Sequence, residues 1–325
     1  MARAGDSITY GFAVGRVMVL RTRLLGRASF ERLLDAPTFA DQRRVLSETH
    51  FGKFLEHAAT PGEVEHAVDE SLRDLYEEFL EHAGLPDAVV RYFRSPYDFA
   101  VLKGVLKARA LGVAAEVPTI PLGLLPLQEF DDPRTLPGVL GSVARALLDA
   151  EPVPASEEID AAVDHAMFRE LTRLAKASGV HYLERLAARQ VDATNAKVLL
   201  RSAIAQRSPD AARAMLVPGG TWDAAALTLL VRKPAELVEA VMAARVLPGA
   251  TPADLLDLTR LDPLADAAVG RLVREAVRMP IGPGPVLGYV LSRRAEAITV
   301  RALLVGRLAG LPRDVVASRL REVAS

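Results

Sequence analysis

Apolar residues along this chain recur at three- and four-residue steps, and no stretch shows sustained alternation of apolar and polar positions over β-branched residues. From Thr60, the residues Val64, Val68, Leu72, Leu75 and Phe79 fall on one stripe. Glu63, Glu70, Asp74, Glu77 and Glu81 fall on another, so the spacing predicts an amphipathic helix over 60–83. Helix starts are marked by Ser or Thr with a carboxylate three residues on, often with Pro between them. Thr38-Phe39-Ala40-Asp41, Thr60-Pro61-Gly62-Glu63, Ser95-Pro96-Tyr97-Asp98 and Thr251-Pro252-Ala253-Asp254 carry that signature. Helical patterning also covers 136–149, 156–177 and 182–189, then a short helix after Ser208-Pro209 that Pro218-Gly219-Gly220 ends. It continues over 221–231, 234–244, 251–278 and a last helix from Pro312. Pro118, Pro121, Pro126, Pro133 and Pro137 interrupt long helices beyond Gly112. The expected fold is all-α.

One helical pattern occurs three times. Glu296 is followed by Val300, Arg301, Leu303 and Leu304; Asp98 by Leu102, Lys103, Val105 and Leu106; Asp192 by Ala196, Lys197, Leu199 and Leu200. Three copies imply three related helical units, placed at 1–112, 113–208 and 209–325, whose apolar stripes are buried by packing on one another. Each acid shares a helical face with the apolar residues after it, which predicts partial burial. At a helix start its charge can be met by free backbone N–H groups and the helix dipole, most clearly for Asp98 behind Ser95. The bases Lys103, Lys197 and Arg301 sit at the stripe's border, where the head can pair with a neighbouring carboxylate or reach a partner. For Arg301 both outcomes stay open.

Composition narrows the functions. Forty basic and 41 acidic residues give a formal charge of -1, which leaves no global field to attract nucleic acid or an anionic membrane. There is no Cys, hence no disulfide and no thiolate nucleophile or ligand. The run Ile8-to-Leu20 is interrupted by Arg16 and reads as a buried helix, and no apolar stretch is long enough to span a bilayer, so membrane association requires a partner. No P-loop is present, and Gly282-Pro283-Gly284-Pro285-Val286-Leu287-Gly288 reads as a stiff interhelical loop. Glu63-x-x-His66 has a metal spacing but no second copy, and Asp131-Asp132 lacks the further carboxylates of a magnesium site. Arg16, Arg23 and Arg27 form a stripe that pairs internally, faces solvent or contacts a partner. No catalytic, metal or cofactor residue is expected.

Leu287-Gly288-Tyr289-Val290-Leu291, Arg293-Arg294-Ala295-Glu296, Val300-Arg301, Gly306-Arg307 and Gly310-Leu311-Pro312 together resemble the C-terminal signature of the C subunit of archaeal and bacterial A/V-type rotary ATPases, whose eukaryotic vacuolar counterpart is the d subunit. The resemblance continues through Tyr10 to Arg16 with Leu24-Leu25, Thr38 to Asp41 with Leu46 to Thr49, and Asp98 to Arg109. It implies a non-catalytic rotor part: a funnel of three units with pseudo-threefold symmetry, peripheral on the cytoplasmic face of the membrane and without bilayer insertion. Its implied partners are the D and F subunits of the central shaft and the membrane proteolipid ring, with one copy per complex that moves protons or sodium. No nucleic-acid partner and no cofactor are implied. The family places Asn three residues after the repeat acid; Asn195 fits, whereas Val101 and Thr299 depart from it. A cytosolic helical scaffold with other protein clients is the alternative, and a helical-bundle metalloenzyme a more distant one.

Overall fold

The computed structural model describes residues 4–320, and among them there are helical elements and no strand. The α-helices are α1 (Ala4–Leu20), α2 (Arg27–Asp35), α3 (Phe39–Leu46), α4 (Gly52–Leu55), α5 (Pro61–Asp74), α6 (Asp87–Leu111) and α7 (Gly138–Leu148). They continue with α8 (Ser156–Ala177), α9 (His181–Ile204), α10 (Pro209–Ala214), α11 (Pro234–Ala244), α12 (Leu258–Arg278), α13 (Pro283–Leu308) and α14 (Arg313–Leu320). The fold is all-α, as the periodicity predicts. Contacts divide it into two compact units, one built from the segment up to Leu85 together with the segment from Gly270, the other from Pro86–Val269.

In the first unit α13 packs along α5 and against α1. Val286, Leu287, Val290, Val300 and Leu304 on α13 are fully enclosed. Gly288 permits close approach, because a Cβ there would press on the Val277 backbone N at 2.9 Å. The expected loop at 282–288 is instead the start of α13. Gly282 takes φ +87° as N-cap and Pro283 fills the first helical position, where its missing N–H costs nothing. Thr60 and Glu63 form the reciprocal cap of α5, which passes into a π-helical turn over Leu75–Leu80. The N-terminal helix is not buried all round: Ala13 and Val17 are covered, whereas Phe12 is 79% exposed.

In the second unit α6 packs along α8, and α8 against α9. One core gathers Phe99, Leu102, Leu106, Phe130 and Val163; another gathers Leu199, Leu200, Val231, Leu237 and Leu261. The expected start at Ser95-Pro96 does not occur, because α6 runs through it. Continuous burial of Tyr92, Phe93, Phe99 and Leu102 favours one helix, and the Ser95 hydroxyl donates to the Arg91 carbonyl at 2.6 Å inside it. The segment 182–189 is likewise continuous with the repeat helix in α9. Thr251 caps only a 3-10 turn, Asp254–Leu256, because buried Leu255 and extended Asp257 break the path before α12. The helix expected over 221–231 is a 3-10 helix, Ala225–Arg232.

Candidate functional site

The repeat acids lie well inside α6, α9 and α13, not at helix starts, and are more deeply buried than their spacing suggests: Asp98 and Asp192 are 2% exposed and Glu296 4%. A carboxylate in mid-helix finds no free N–H of its own helix, since those are taken by the helix ladder. Each is met instead by backbone donors from a loop. Asp98 accepts the N–H of Leu124 at 3.0 Å and of Leu125 at 3.2 Å. Asp192 accepts the N–H of Thr221 at 2.9 Å and of Trp222 at 3.2 Å, and the Thr221 hydroxyl donates to it at 2.7 Å. Glu296 accepts the N–H of Leu25.

The third copy has one such N–H where the others have two, and a guanidinium takes the second place. Arg293 Nη1 donates to Glu296 Oε2 at 3.2 Å, and its Nη2 to Ser71 Oγ at 2.8 Å. The same guanidinium lies 4.7 Å from the Phe51 ring centroid. Burial pushes the Glu296 carboxyl up to about 7 against the opposing pull of Arg293 and the Leu25 N–H. Burial also pushes Asp98 up, opposed by the Leu124 and Leu125 N–H groups. Beside Arg293, burial and that cation push His50 down to about 4, and burial pushes Tyr289 up to about 12.

The bases at the fifth position all pair with an acid on another helix. Lys103 Nζ is 2.5 Å from Asp164 of α8, and Lys107 Nζ is 2.6 Å from Asp160. Asp262 of α12 receives Lys197 at 2.9 Å and Arg201 at 2.7 Å. Arg301 pairs with Asp69 of α5, so its charge is used internally. Burial raises Asp69 despite Arg301, whereas at Asp262 the two cations outweigh burial and lower it.

The loop donors were not among the sequence-predicted residues, because they lie far from the acids in sequence. A signal existed in the glycines before them. A Cβ on Gly123 or Gly220 would collide with the carboxylate of Asp98 or Asp192, and Gly220 also holds φ +87°. Asn195 makes a paired bond to Val217, with both N–O distances 2.9 Å. Thr299 donates only to Ala295 of its own helix. The arginine stripe does not form: α1 ends at Leu20, Arg16 donates to the Glu78 carbonyl at 3.1 Å, and Arg27 pairs with Glu31 at 2.8 Å. His66 lies 3.8 Å from Glu70.

Chemically, these carboxylates work as acceptors that tie loops to long helices, and the bases join one helix to another. That order, acid then base on each of three long helices, runs from Asp98 to Arg301. The family model of the ATP synthase (C/AC39) subunit matches residues 13–319. The chain belongs to this family. It is 27% identical over 332 residues to the C subunit of the V-type ATP synthase of Thermus thermophilus, covering 94% of this chain and 97% of that one. The C subunit of the A-type ATP synthase of Halobacterium salinarum is 26% identical, with 98% and 99% covered, and that of Methanocaldococcus jannaschii 22% identical, with 97% and 87% covered. Membership of this family makes the chain a subunit of the A/V-type rotary ATPase kind. Among the described residues no helix is long and apolar enough to cross a membrane.

Proposed function

We propose that this protein is a non-catalytic coupling part of the central stalk, joining the D and F subunits of the shaft to the membrane proteolipid ring and transmitting torque between them. The observation that carries the reading is the family match, which runs along nearly the entire chain and nearly the entire length of relatives named as C subunits of A- and V-type ATP synthases. The side-chain chemistry supports it: repeat charges are spent on holding loops and helices together, which suits a stiff transmission element. Three related units in a pseudo-threefold arrangement around a socket, at the cytoplasmic face, belong to the same proposal, as does likeness to the eukaryotic d subunit.

The test is removal. Purified complexes lacking the protein are expected to keep nucleotide hydrolysis and lose ion pumping, and its re-addition restores pumping. Normal pumping without it would sink the proposal. Cross-linking on native membranes separates this role from a scaffold for other clients: links to shaft and ring proteins support coupling, and links to neither favour the scaffold.

A further inference from the structure

The three acid-and-base sets have the same order of parts, but not the same chain connectivity. In the first, α6 carries Asp98 and Lys103, the following loop donates through Leu124 and Leu125, and the later helix α8 supplies Asp164. In the second, α9 carries Asp192 and Lys197, the following loop donates through Thr221 and Trp222, and α12 supplies Asp262. In the third, α13 carries Glu296 and Arg301, yet the donor is Leu25 and the paired acid is Asp69 of α5. Those parts come from the opposite end of the sequence, and both segments fall in one compact unit.

We propose that the third copy is split, α13 being one half and the segment from Leu25 to α5 the other, and that the seam between them is the joint that closes last and opens first. This register differs from cutting the sequence in order at 112 and 208, and it does not depend on the coupling role.

Two physical reasons place the weakness at the seam. Acid and donor are 26 positions apart in the first copy and 29 in the second, but 271 in the third. In the fully unfolded chain, closing the longer loop is about thirty-fold less probable, so the two nearer acid–donor pairs form before it. The seam also encloses a pair of charged groups that must be desolvated together, Glu296 with Arg293, whose side chains are 5% and 4% exposed, whereas Arg301 with Asp69 stays partly solvated like the corresponding pairs of the other two copies. The other two acids are met directly by loop N–H groups, and at Asp98 the half-buried Arg94 guanidinium binds that loop through the Leu122 and Gly123 carbonyls at 3.2 and 2.6 Å.

Native-state hydrogen exchange of the full chain, read by mass spectrometry through increasing sub-denaturing urea, tests this. Segments 21–34, 61–74 and 284–308 are expected to lose protection together, at lower urea than 98–125 and 192–222. Glu296→Ala, with Arg301→Ala as a milder variant, should speed exchange at least tenfold in both 61–74 and 284–308 while leaving 98–125 unchanged. One opening event shared by all segments would overturn the proposal. So would loss of protection in 284–308 with 61–74 still protected. The wild-type urea series decides the matter even if neither variant folds.

Discussion

Glu296 on α13 accepts the backbone N–H of Leu25, a residue 271 positions earlier in the chain. Its carboxyl is raised from 4.5 to about 7, so the folded form holds a proton that the unfolded form releases. The stability linked to that proton is full below about pH 4.5 and is lost as pH rises to about 7. His50 has the opposite sign: its value falls from 6.5 to about 4, so its contribution is present above 6.5 and lost as pH falls towards 4. The two dependences oppose one another in the overlapping window. Urea midpoints of the wild type should therefore change little between about pH 5 and 6.5, those of Glu296→Gln should rise with pH, and those of His50→Asn should fall. A Glu296→Gln variant that follows the wild-type profile would remove Glu296 as the titrating group.

Asp192 satisfies two consecutive N–H groups and a hydroxyl at once, all from Thr221 and Trp222. Asp192→Ala leaves these donors facing a buried site with no acceptor, at a cost of about 3 kcal/mol. Asp192→Asn keeps one carbonyl acceptor but brings an amide NH2 against other donors, and should cost about half as much. Denaturant unfolding measures both. A loss below about 1 kcal/mol for the Ala variant would mean that water or a shifted loop replaces the carboxylate.

Helix content and the repeat spacing were legible because apolar periodicity is local: Gly112 ends α6 in a left-handed conformation, and α8 and α11 take the predicted ranges or nearly so. The depth and partners of the repeat acids were not. Ser95-Pro96-Tyr97-Asp98 has the composition of a cap, yet Tyr92, Phe93 and Leu102 are all buried along one uninterrupted helix, and that packing overrides a local preference worth about 1 kcal/mol. Once Asp98 is internal to the helix, its acceptors must find donors elsewhere. Helical periodicity carries no information about which loop returns to them.

Gly220 and Gly104 make a contrasting pair. At Gly220 a Cβ would collide with Asp192 Oδ1 and the backbone holds φ +87°, so Gly220→Ala should destabilise by about 2 kcal/mol or more. Gly104 lies inside α6, and the nearest atom to a Cβ there is the Glu116 carbonyl oxygen at 3.9 Å. Gly104→Ala should stabilise by about 0.5–1 kcal/mol through higher helix propensity. Thermal midpoints should move in opposite directions, and a Gly220→Ala protein as stable as wild type would show that the loop does not need its close approach to Asp192.

The bases at the fifth position should matter less than the acids, although they recur as faithfully. Lys103 and Asp164 keep 26% and 38% of their side-chain surface exposed, so water already solvates both charges and the pair gains little beyond it. A double-mutant cycle with Lys103→Met and Asp164→Asn should give a coupling energy of about 0.5–1 kcal/mol. Raising the ionic strength to about 1 M should shrink that coupling, while the loss at Asp192→Ala, which removes hydrogen bonds from backbone N–H groups to a carboxylate only 2% exposed, should barely respond. Coupling that exceeds the Asp192→Ala loss would reverse this ranking, and would make helix-to-helix ion pairs, not loop tethers, the main holders of the repeat.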